Sequence, residues 1–68
     1  MSNEEFDGFG RPVKKKIVIC EDDVATLELL CEHLSSDGFD VLAAPTAADA
    51  MRLCQYSDPD MLLLDLRL

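Results

Sequence analysis

Three carboxylates stand where apolar segments of the chain end. Glu21 and Asp22 directly follow the apolar run "IVIC", and Asp65 follows the run "MLLL". Grouped carboxylates repel one another unless a cation lies between them, and Mg²⁺ is a hard ion that prefers oxygen ligands. A carboxylate beside such an ion can also attack a phosphoryl group as a nucleophile. If the three acids meet, we therefore expect a magnesium site with Asp65 as the best-placed nucleophile.

The stretch "EDD" at residues 21–23 has two interpretations of equal weight when taken alone. It is either a solvated turn that caps a helix or a turn that binds a cation. The acid at the end of the apolar strand shifts the balance, because a buried carboxylate without a partner would cost several kcal/mol. The combination of Asp65 with the acidic turn favours a functional site.

A strand and a helix are predicted after the basic cluster at residues 14–16. Residues 17–20 form a short apolar run rich in β-branched side chains, which indicates a buried strand. Asp23 is the expected helix N-cap, and Gly38 is the expected C-terminal stop. The apolar face of this helix consists of residues at spacings of three and four, which are Val24, Leu27, Leu30, Cys31 and Leu34.

A second strand, a second helix and a third strand follow. "FDVLAA" alternates as a strand does, and Thr46 with Asp49 three residues later predicts a capping box. The apolar face of the second helix is Ala47, Ala50, Met51 and Cys54, with Met51 interpreted as core packing. "MLLLDL" is apolar on both faces, as a central parallel strand would be. The order βαβαβ implies parallel strands joined by right-handed crossovers.

This architecture would bring the acids to one place. Ligands of an open parallel α/β sheet bind outside the carboxyl ends of the strands, where the strand order reverses. Glu21 and Asp22 follow the first predicted strand, and Asp65 ends the third. If these two strands are neighbours and the second strand lies outside the first, the three carboxylates converge there.

Composition excludes several classes of function. Fourteen acidic residues against six basic ones give a net charge of −8, which repels nucleic acid and anionic lipid. Three cysteines with no C-x-x-C pair favour buried, unpaired thiols in a reducing compartment. We find neither an apolar stretch of about 20 residues nor a signal-peptide core, and so expect a cytoplasmic protein without membrane contact. Residues 1–13 are expected to form a flexible leader.

Two stretches of the chain resemble the receiver domain of two-component response regulators. "KKIVICEDD" is similar to that family's first strand and acidic turn, and "PDMLLLDLRL" is similar to its third strand with the phosphorylated aspartate. The resemblance implies a flavodoxin-like open parallel sheet, with the family's strand order 2-1-3-4-5. It covers only the N-terminal half of such a domain, so residues 14–68 are expected to be a fold truncated after the third strand.

The resemblance also implies a role for each acid. Asp65 would accept a phosphoryl group from a histidine kinase or a phosphotransfer protein, with Mg²⁺ as cofactor. Asp22 would ligate the ion directly and Asp65 would share it, while Glu21 would act through a water molecule and Arg67 through its backbone carbonyl. Asp23 would remain the helix cap. The protein would be a phosphoacceptor rather than an enzyme, at most with slow autodephosphorylation, and it would control an output domain, often a transcriptional one.

The chain departs from the family in one respect. The later strands, with the hydroxyl residue and the lysine that contact the phosphoryl group, are not among the 68 residues. An alternative is therefore a truncated interaction module that pairs through its exposed third strand, self-associates and does not signal by phosphorylation. A phosphatase is a weaker alternative, because "DLRL" has no second acid two residues after Asp65. His33 is expected to be an exposed surface residue.

Overall fold

The computed structural model describes residues 5–65. It contains a small hairpin followed by a parallel α/β unit. The elements in chain order are β1 (Glu5–Phe6), β2 (Pro12–Val13), β3 (Lys16–Cys20), α1 (Val24–Ser36), β4 (Asp40–Ala44), α2 (Ala47–Ser57) and β5 (Met61–Leu64). The three strands expected from the sequence are β3, β4 and β5, and the two expected helices are α1 and α2.

Strands β3, β4 and β5 form a parallel sheet in the order β4-β3-β5. Ile17 is in register with Val41 on one side and with Met61 on the other. The predicted βαβαβ order and parallel sheet are therefore confirmed, as is the neighbouring position of the first and third predicted strands. This is the arrangement that a truncated flavodoxin-like α/β fold requires.

The two helices cover opposite faces of the sheet, because successive side chains of a strand point to opposite sides. Ile17 and Ile19 pack with Leu27 of α1, and Val18 packs with Ala44 and Ala50 on the α2 side. The side chains packed around these two clusters are Leu30, Cys31, Leu34, Phe39 and Val41 on the first face, and Cys20, Leu42, Leu53 and Cys54 on the second. Strand β3 is thus buried from both sides.

Helix α1 begins and ends where the sequence predicts. The Asp23 side chain accepts the backbone N–H of Ala25 at 3.1 Å, as an N-cap does. Just beyond the helix, Gly38 adopts a φ of 94°, a left-handed conformation that favours glycine. The chain can therefore turn directly into β4.

Helix α2 has the predicted Thr46–Asp49 cap. The Thr46 hydroxyl accepts the backbone N–H of Asp49 at 3.1 Å and donates to the Asp49 carboxylate at 2.9 Å. At the other end, Asp58 adopts a left-handed conformation with a φ of 49°, and its N–H donates to the carbonyl of Cys54. This residue turns the chain towards β5.

Three residues assigned to apolar helix faces, Val24, Ala47 and Met51, are exposed, so those assignments are wrong. Val24 is 61% exposed and Met51 is 67% exposed. Val24 is the first residue of α1, and helical side chains lean towards the N-terminus, past the end of the packed face. Met51 lies on the rim of a groove that it shares with Leu62 and Leu64 of β5, and no described element covers this groove.

Strand β5 is an edge strand in the described part of the chain, and its predicted burial on both faces is wrong there. The side chains of residues 61–64 are between 40% and 57% exposed. They are exposed because no described strand pairs with the far edge of β5. The start of the strand is firmly held, since the backbone of Asp60 donates to the carbonyl of Lys16 and its carboxylate accepts the N–H of Lys16, both at 2.8 Å.

The segment predicted to be a leader contains a pair of short strands, which the sequence analysis did not predict. Strands β1 and β2 pair antiparallel around a loop that Asp7 organises. The Asp7 carboxylate accepts the backbone N–H groups of Phe9 and Arg11, and the Arg11 guanidinium lies over the Phe9 ring. The hydrogen bonds from Arg11 and Phe9 lower the pKa of Asp7. A flexible leader at residues 1–13 and a domain at 14–68 remain a prediction.

The three cysteines are half-buried free thiols, less buried than the sequence indicated. Burial raises the pKa of the Cys31 thiol, and the nearby carboxylate of Glu28 raises it further. Within residues 5–65, neither helix has the length and apolar character needed to cross a membrane.

Candidate functional site

The backbone delivers the acids to the carboxyl end of the sheet. Beyond β3, Glu21 continues the pairing with the neighbouring strand, since its N–H donates to the carbonyl of Ala44 at 3.1 Å. Beyond β5, the N–H of Asp65 donates to the carbonyl of Cys20, also at 3.1 Å. Asp65 therefore lies beside the point where the central strand meets the acidic turn.

The structure brings together the three carboxylates that the sequence analysis singled out. Glu21, Asp22 and Asp65 each offer an oxygen, and these oxygens all lie within 4.8 Å of one another. This convergence follows from the strand order, because Asp65 lies far from the other two in the sequence. The roles assigned to the individual acids remain predictions.

The three acids differ in burial. Glu21 is only 3% exposed, whereas Asp22 and Asp65 are both exposed. One carboxylate oxygen of Glu21 accepts the backbone N–H of Asp23 at 2.9 Å. A carboxylate in this position needs such a donor, because burial disfavours its charged form. Glu21 forms the floor of the site, and Asp22 and Asp65 are its accessible acids.

The acids line a crevice with a volume of about 380 Å³. One wall is the start of α2, where Thr46 caps the helix. The lining residues are Cys20, Glu21, Asp22, Pro45, Thr46, Ala47 and Asp65. A liquid water molecule occupies about 30 Å³, so the crevice has room for a hydrated ion together with a small anionic group.

The donor set fits Mg²⁺. All three groups offer hard carboxylate oxygens, and opposite ligands of an octahedral Mg²⁺ lie about 4.2 Å apart. The oxygens of the three acids all lie within 4.8 Å of one another, a separation of the same order.

The other predicted residues have separate positions. The backbone carbonyl of Arg67 lies outside the described residues. Asp23 does not join the three acids, and it caps α1 as expected. His33 is exposed on α1, as expected. Sequence reasoning missed the bond between Glu21 and Asp23, and it missed Thr46 as a wall of the crevice.

Comparison with known proteins places most of the chain in one family. Residues 17–68 match the family model of the response regulator receiver domain. This segment contains the acidic turn, both helices and the three strands of the parallel sheet except for Lys16, the first residue of β3. No solved structure matches the chain at a comparable level of significance.

Two characterised relatives match over most of this chain but over little of their own length. The alkaline phosphatase synthesis transcriptional regulatory protein PhoP of Bacillus subtilis (strain 168) is 30% identical over 56 residues, which are 82% of this chain and 23% of the relative. The protein-glutamate methylesterase/protein-glutamine glutaminase 2 of Paramagnetospirillum magneticum (strain ATCC 700264 / AMB-1) is 40% identical over 57 residues. These are 81% of this chain and 16% of the relative.

Proposed function

The chain belongs to the response regulator receiver domain family of two-component signalling, and we propose that Asp65 is its phosphoacceptor. The phosphoryl donor is a histidine kinase or a phosphotransfer protein, as the family implies. Mg²⁺ is the cofactor, held by Asp22 and Asp65 directly, by Glu21 through water and by the backbone carbonyl of Arg67. The protein works in the cytoplasm as a signalling component and has no metabolite substrate.

One observation carries this proposal. The oxygens of Glu21, Asp22 and Asp65 lie within 4.8 Å of one another at the carboxyl end of the parallel sheet. Asp65 is exposed and can meet a large donor protein, whereas Glu21 is buried and can supply a fixed negative charge. A phosphoacceptor needs both an open nucleophile and a neighbouring cation site.

The transfer requires little of the protein beyond positioning. A carboxylate oxygen of Asp65 attacks the phosphorus, and the bond between phosphorus and the donor nitrogen breaks as the new bond between phosphorus and oxygen forms. The electron pair of the broken bond remains on the donor imidazole, which leaves neutral or takes up a proton from water. Bound Mg²⁺ supplies neutralisation of the charge on the phosphoryl oxygens. Asp22 and Glu21 form no bond to the phosphoryl group in this transfer.

The output of the protein is a separate part of the proposal. One relative is named as a transcriptional regulator and the other as a methylesterase and glutaminase. The chain spans less than a quarter of either one. We propose that phosphorylation of Asp65 controls an output domain in the parent protein, with transcription as the leading candidate.

The proposal is tested with acetyl phosphate and Mg²⁺ on the protein as its own gene encodes it. Intact-mass spectrometry should detect one added phosphoryl group, and the modification should disappear in Asp65→Asn. Asp58→Asn is the matched control, because it removes an exposed acid from the loop before β5 and asparagine tolerates a left-handed backbone. Equal modification of Asp65→Asn and the wild type would refute Asp65 as the acceptor.

A second candidate function rests on a different observation. Strand β5 presents four half-exposed apolar side chains and an edge without a described strand partner. Such an edge pairs readily with another strand. An interaction module that pairs through β5 would associate with or without phosphorylation. Analytical ultracentrifugation tests this alternative, and a monomer that unfolds cooperatively would contradict it.

A further inference from the structure

The turn between β3 and α1 is held at both of its ends. At the first end, the backbone N–H of Glu21 donates to the carbonyl of Ala44 at 3.1 Å. At the second end, the backbone N–H of Asp23 donates to the Glu21 carboxylate at 2.9 Å. Asp22 lies between these two bonds, so its backbone position depends on both.

The side chain of Asp22 is weakly restrained by its surroundings. It is exposed, and within residues 5–65 its carboxylate accepts no hydrogen bond from another group. Its direction therefore follows from the backbone on either side and from the rotamers that this backbone permits. An acid of this kind approaches a cation well only if the turn that carries it is fixed in advance.

Glu21 is suited to fix that turn. Its side chain is 3% exposed, so it has few conformations available. A hydrogen bond from a backbone N–H to a carboxylate is charge-assisted and stronger than a neutral one. The residue that donates this bond, Asp23, is itself the N-cap of α1, because its side chain accepts the backbone N–H of Ala25. Three consecutive hydrogen bonds thus connect β4, the acidic turn and the first turn of α1.

We propose that Glu21 is a positioning residue, whose carboxylate oxygen holds the backbone of Asp23 and thereby directs Asp22 towards Asp65. This inference rests on the proposed function, since it gives Glu21 a second task at the same site. The task requires an acceptor oxygen at position 21, which a neutral side chain can also supply through a weaker hydrogen bond. Substitutions at position 21 can therefore distinguish the effect of the turn's position from the effect of the Glu21 charge on cation binding.

Two variants of matched length separate these contributions. Glu21→Gln keeps an oxygen that accepts the N–H of Asp23 but removes the charge, whereas Glu21→Met removes both. Amide hydrogen exchange in the metal-free, full-length protein reports the bond at Asp23 directly. We expect exchange at Asp23 to be within about threefold of the wild type in Glu21→Gln and about tenfold faster in Glu21→Met. Equal exchange in the two variants, whether fast or slow, would overturn the proposal.

Protection of the Ala50 amide in α2 reports whether the fold is intact, because this N–H bonds to the carbonyl of Thr46, away from position 21. If Glu21→Met loses the protection of the Ala50 amide, Glu21→Ala is used in its place. The expected exchange at Asp23 in Glu21→Ala is the same as that given for Glu21→Met. Loss of Ala50 protection in both variants, with Glu21→Gln intact, supports the proposal, because only the acceptor-bearing variant then keeps the turn. Its loss in all three variants would overturn it.

A double-mutant cycle tests whether Glu21 acts through Asp22. Glu21→Met should bind Mg²⁺ more weakly than Glu21→Gln by about tenfold. In an Asp22→Asn background this difference should shrink to about twofold or less, because the side chain being directed no longer carries a charge. A difference that persists undiminished in that background would show that Glu21 does not act through Asp22, and would overturn the proposal.

Failure of this inference differs from failure of the proposed function. If Asp65 takes up phosphoryl from acetyl phosphate while Glu21→Gln and Glu21→Met exchange equally at Asp23, the positioning role is wrong and the phosphoacceptor stands. If wild-type Asp65 is not modified while the exchange pattern and the Mg²⁺ cycle hold, the phosphoacceptor is wrong and the positioning of Asp22 stands.

Discussion

The backbone N–H of Asp65 donates to the carbonyl oxygen of Cys20 at 3.1 Å. This bond attaches the proposed phosphoacceptor to the end of the central strand. The direction of the Asp65 side chain therefore follows from the register between β3 and β5. A slip of one residue in that register would turn the carboxylate to the other face of the sheet.

Asp22 and Asp23 are neighbouring acids with different expected roles. Asp22→Asn should weaken Mg²⁺ binding by about tenfold or more, because it removes a full charge next to the cation. Asp23→Asn should weaken it much less, because Asp23 lies outside the three-acid cluster and asparagine is also a good N-cap. Titration with Mg²⁺, followed by amide chemical shifts, measures both affinities. Equal losses of Mg²⁺ affinity in the two variants would contradict the assignment of Asp22 as the direct ligand.

The cap of α2 is expected to contribute measurably to stability. Thr46→Ala removes the oxygen that accepts the N–H of Asp49 and should lower the free energy of unfolding by about 1 kcal/mol. Thr46→Ser keeps that oxygen and should lower the free energy of unfolding by less than about half of that amount. Urea unfolding curves compare the two variants. A Thr46→Ala variant as stable as the wild type would mean that water replaces the cap without loss.

Substitutions at two residues with a left-handed backbone conformation should change the stability of the fold in opposite directions. Gly38→Ala should destabilise the chain by about 1 to 2 kcal/mol because of its φ of 94°. Steric clash is not the reason, since a Cβ there would meet no atom within 4 Å. Asp58→Gly should stabilise it by a few tenths to about 1 kcal/mol, because glycine adopts the φ of 49° more readily. Thermal unfolding would contradict this account if both changes had the same sign.

The Cys31 thiol gives the fold a dependence on alkaline pH. Burial raises its pKa in the folded chain, and the Glu28 carboxylate adds to the effect. A raised folded pKa means that the contribution to stability is complete below the pKa of the unfolded thiol. That contribution is lost as the pH rises through the folded value. Alkylation by iodoacetamide at a series of pH values should place the midpoint of native Cys31 above that of the urea-unfolded chain.

Removal of the thiol is the control for this pH dependence. Cys31→Ala should lose less stability than the wild type between neutral and alkaline pH. Glu28→Gln should move the alkylation midpoint of Cys31 partway towards that of the unfolded chain, since it removes the smaller of the two causes. A native midpoint equal to the unfolded one would contradict the burial of the thiol.

The exposed edge of β5 should make the 68-residue chain self-associate. Leu63→Lys places a charge on this edge strand and should lower the associated fraction at equal concentration, because a charged edge resists pairing. Tyr56→Lys is the control, since Tyr56 is 85% exposed on α2 and lies outside the sheet. Sedimentation velocity measures both variants. Equal effects of the two changes would point to net charge instead of the strand edge.

Much of the fold could be predicted because its elements follow regular periods. The apolar run at residues 17–20 and the recurrence from Leu27 to Leu34 predicted β3 and α1, and Asp23 and Gly38 marked the helix ends. The neighbouring position of β3 and β5 could not be obtained from periodicity, which is a local property. It was implied by the resemblance to the receiver family.

Other features lie beyond what residue types can indicate. Glu21 and Asp22 are neighbouring acidic residues, and the sequence alone does not distinguish their burial. Glu21 is buried and Asp22 is exposed, because the backbone of Glu21 still pairs with Ala44. The hairpin was missed because strands of two residues are too short to show a period. The local signal was "DGFG", in which an aspartate side chain bonds to the backbone two residues later.

The separation of the acids along the chain also has a consequence for synthesis. Asp22 precedes Asp65 by about 40 positions, and a ribosome adds about 5 to 20 residues per second. The acidic turn therefore leaves the peptidyl transferase centre roughly 2 to 8 s before the residue that completes the cluster. Throughout that interval a growing chain carries two acids of the site without the third, so a complete ligand set arises only after β5 has been translated and paired.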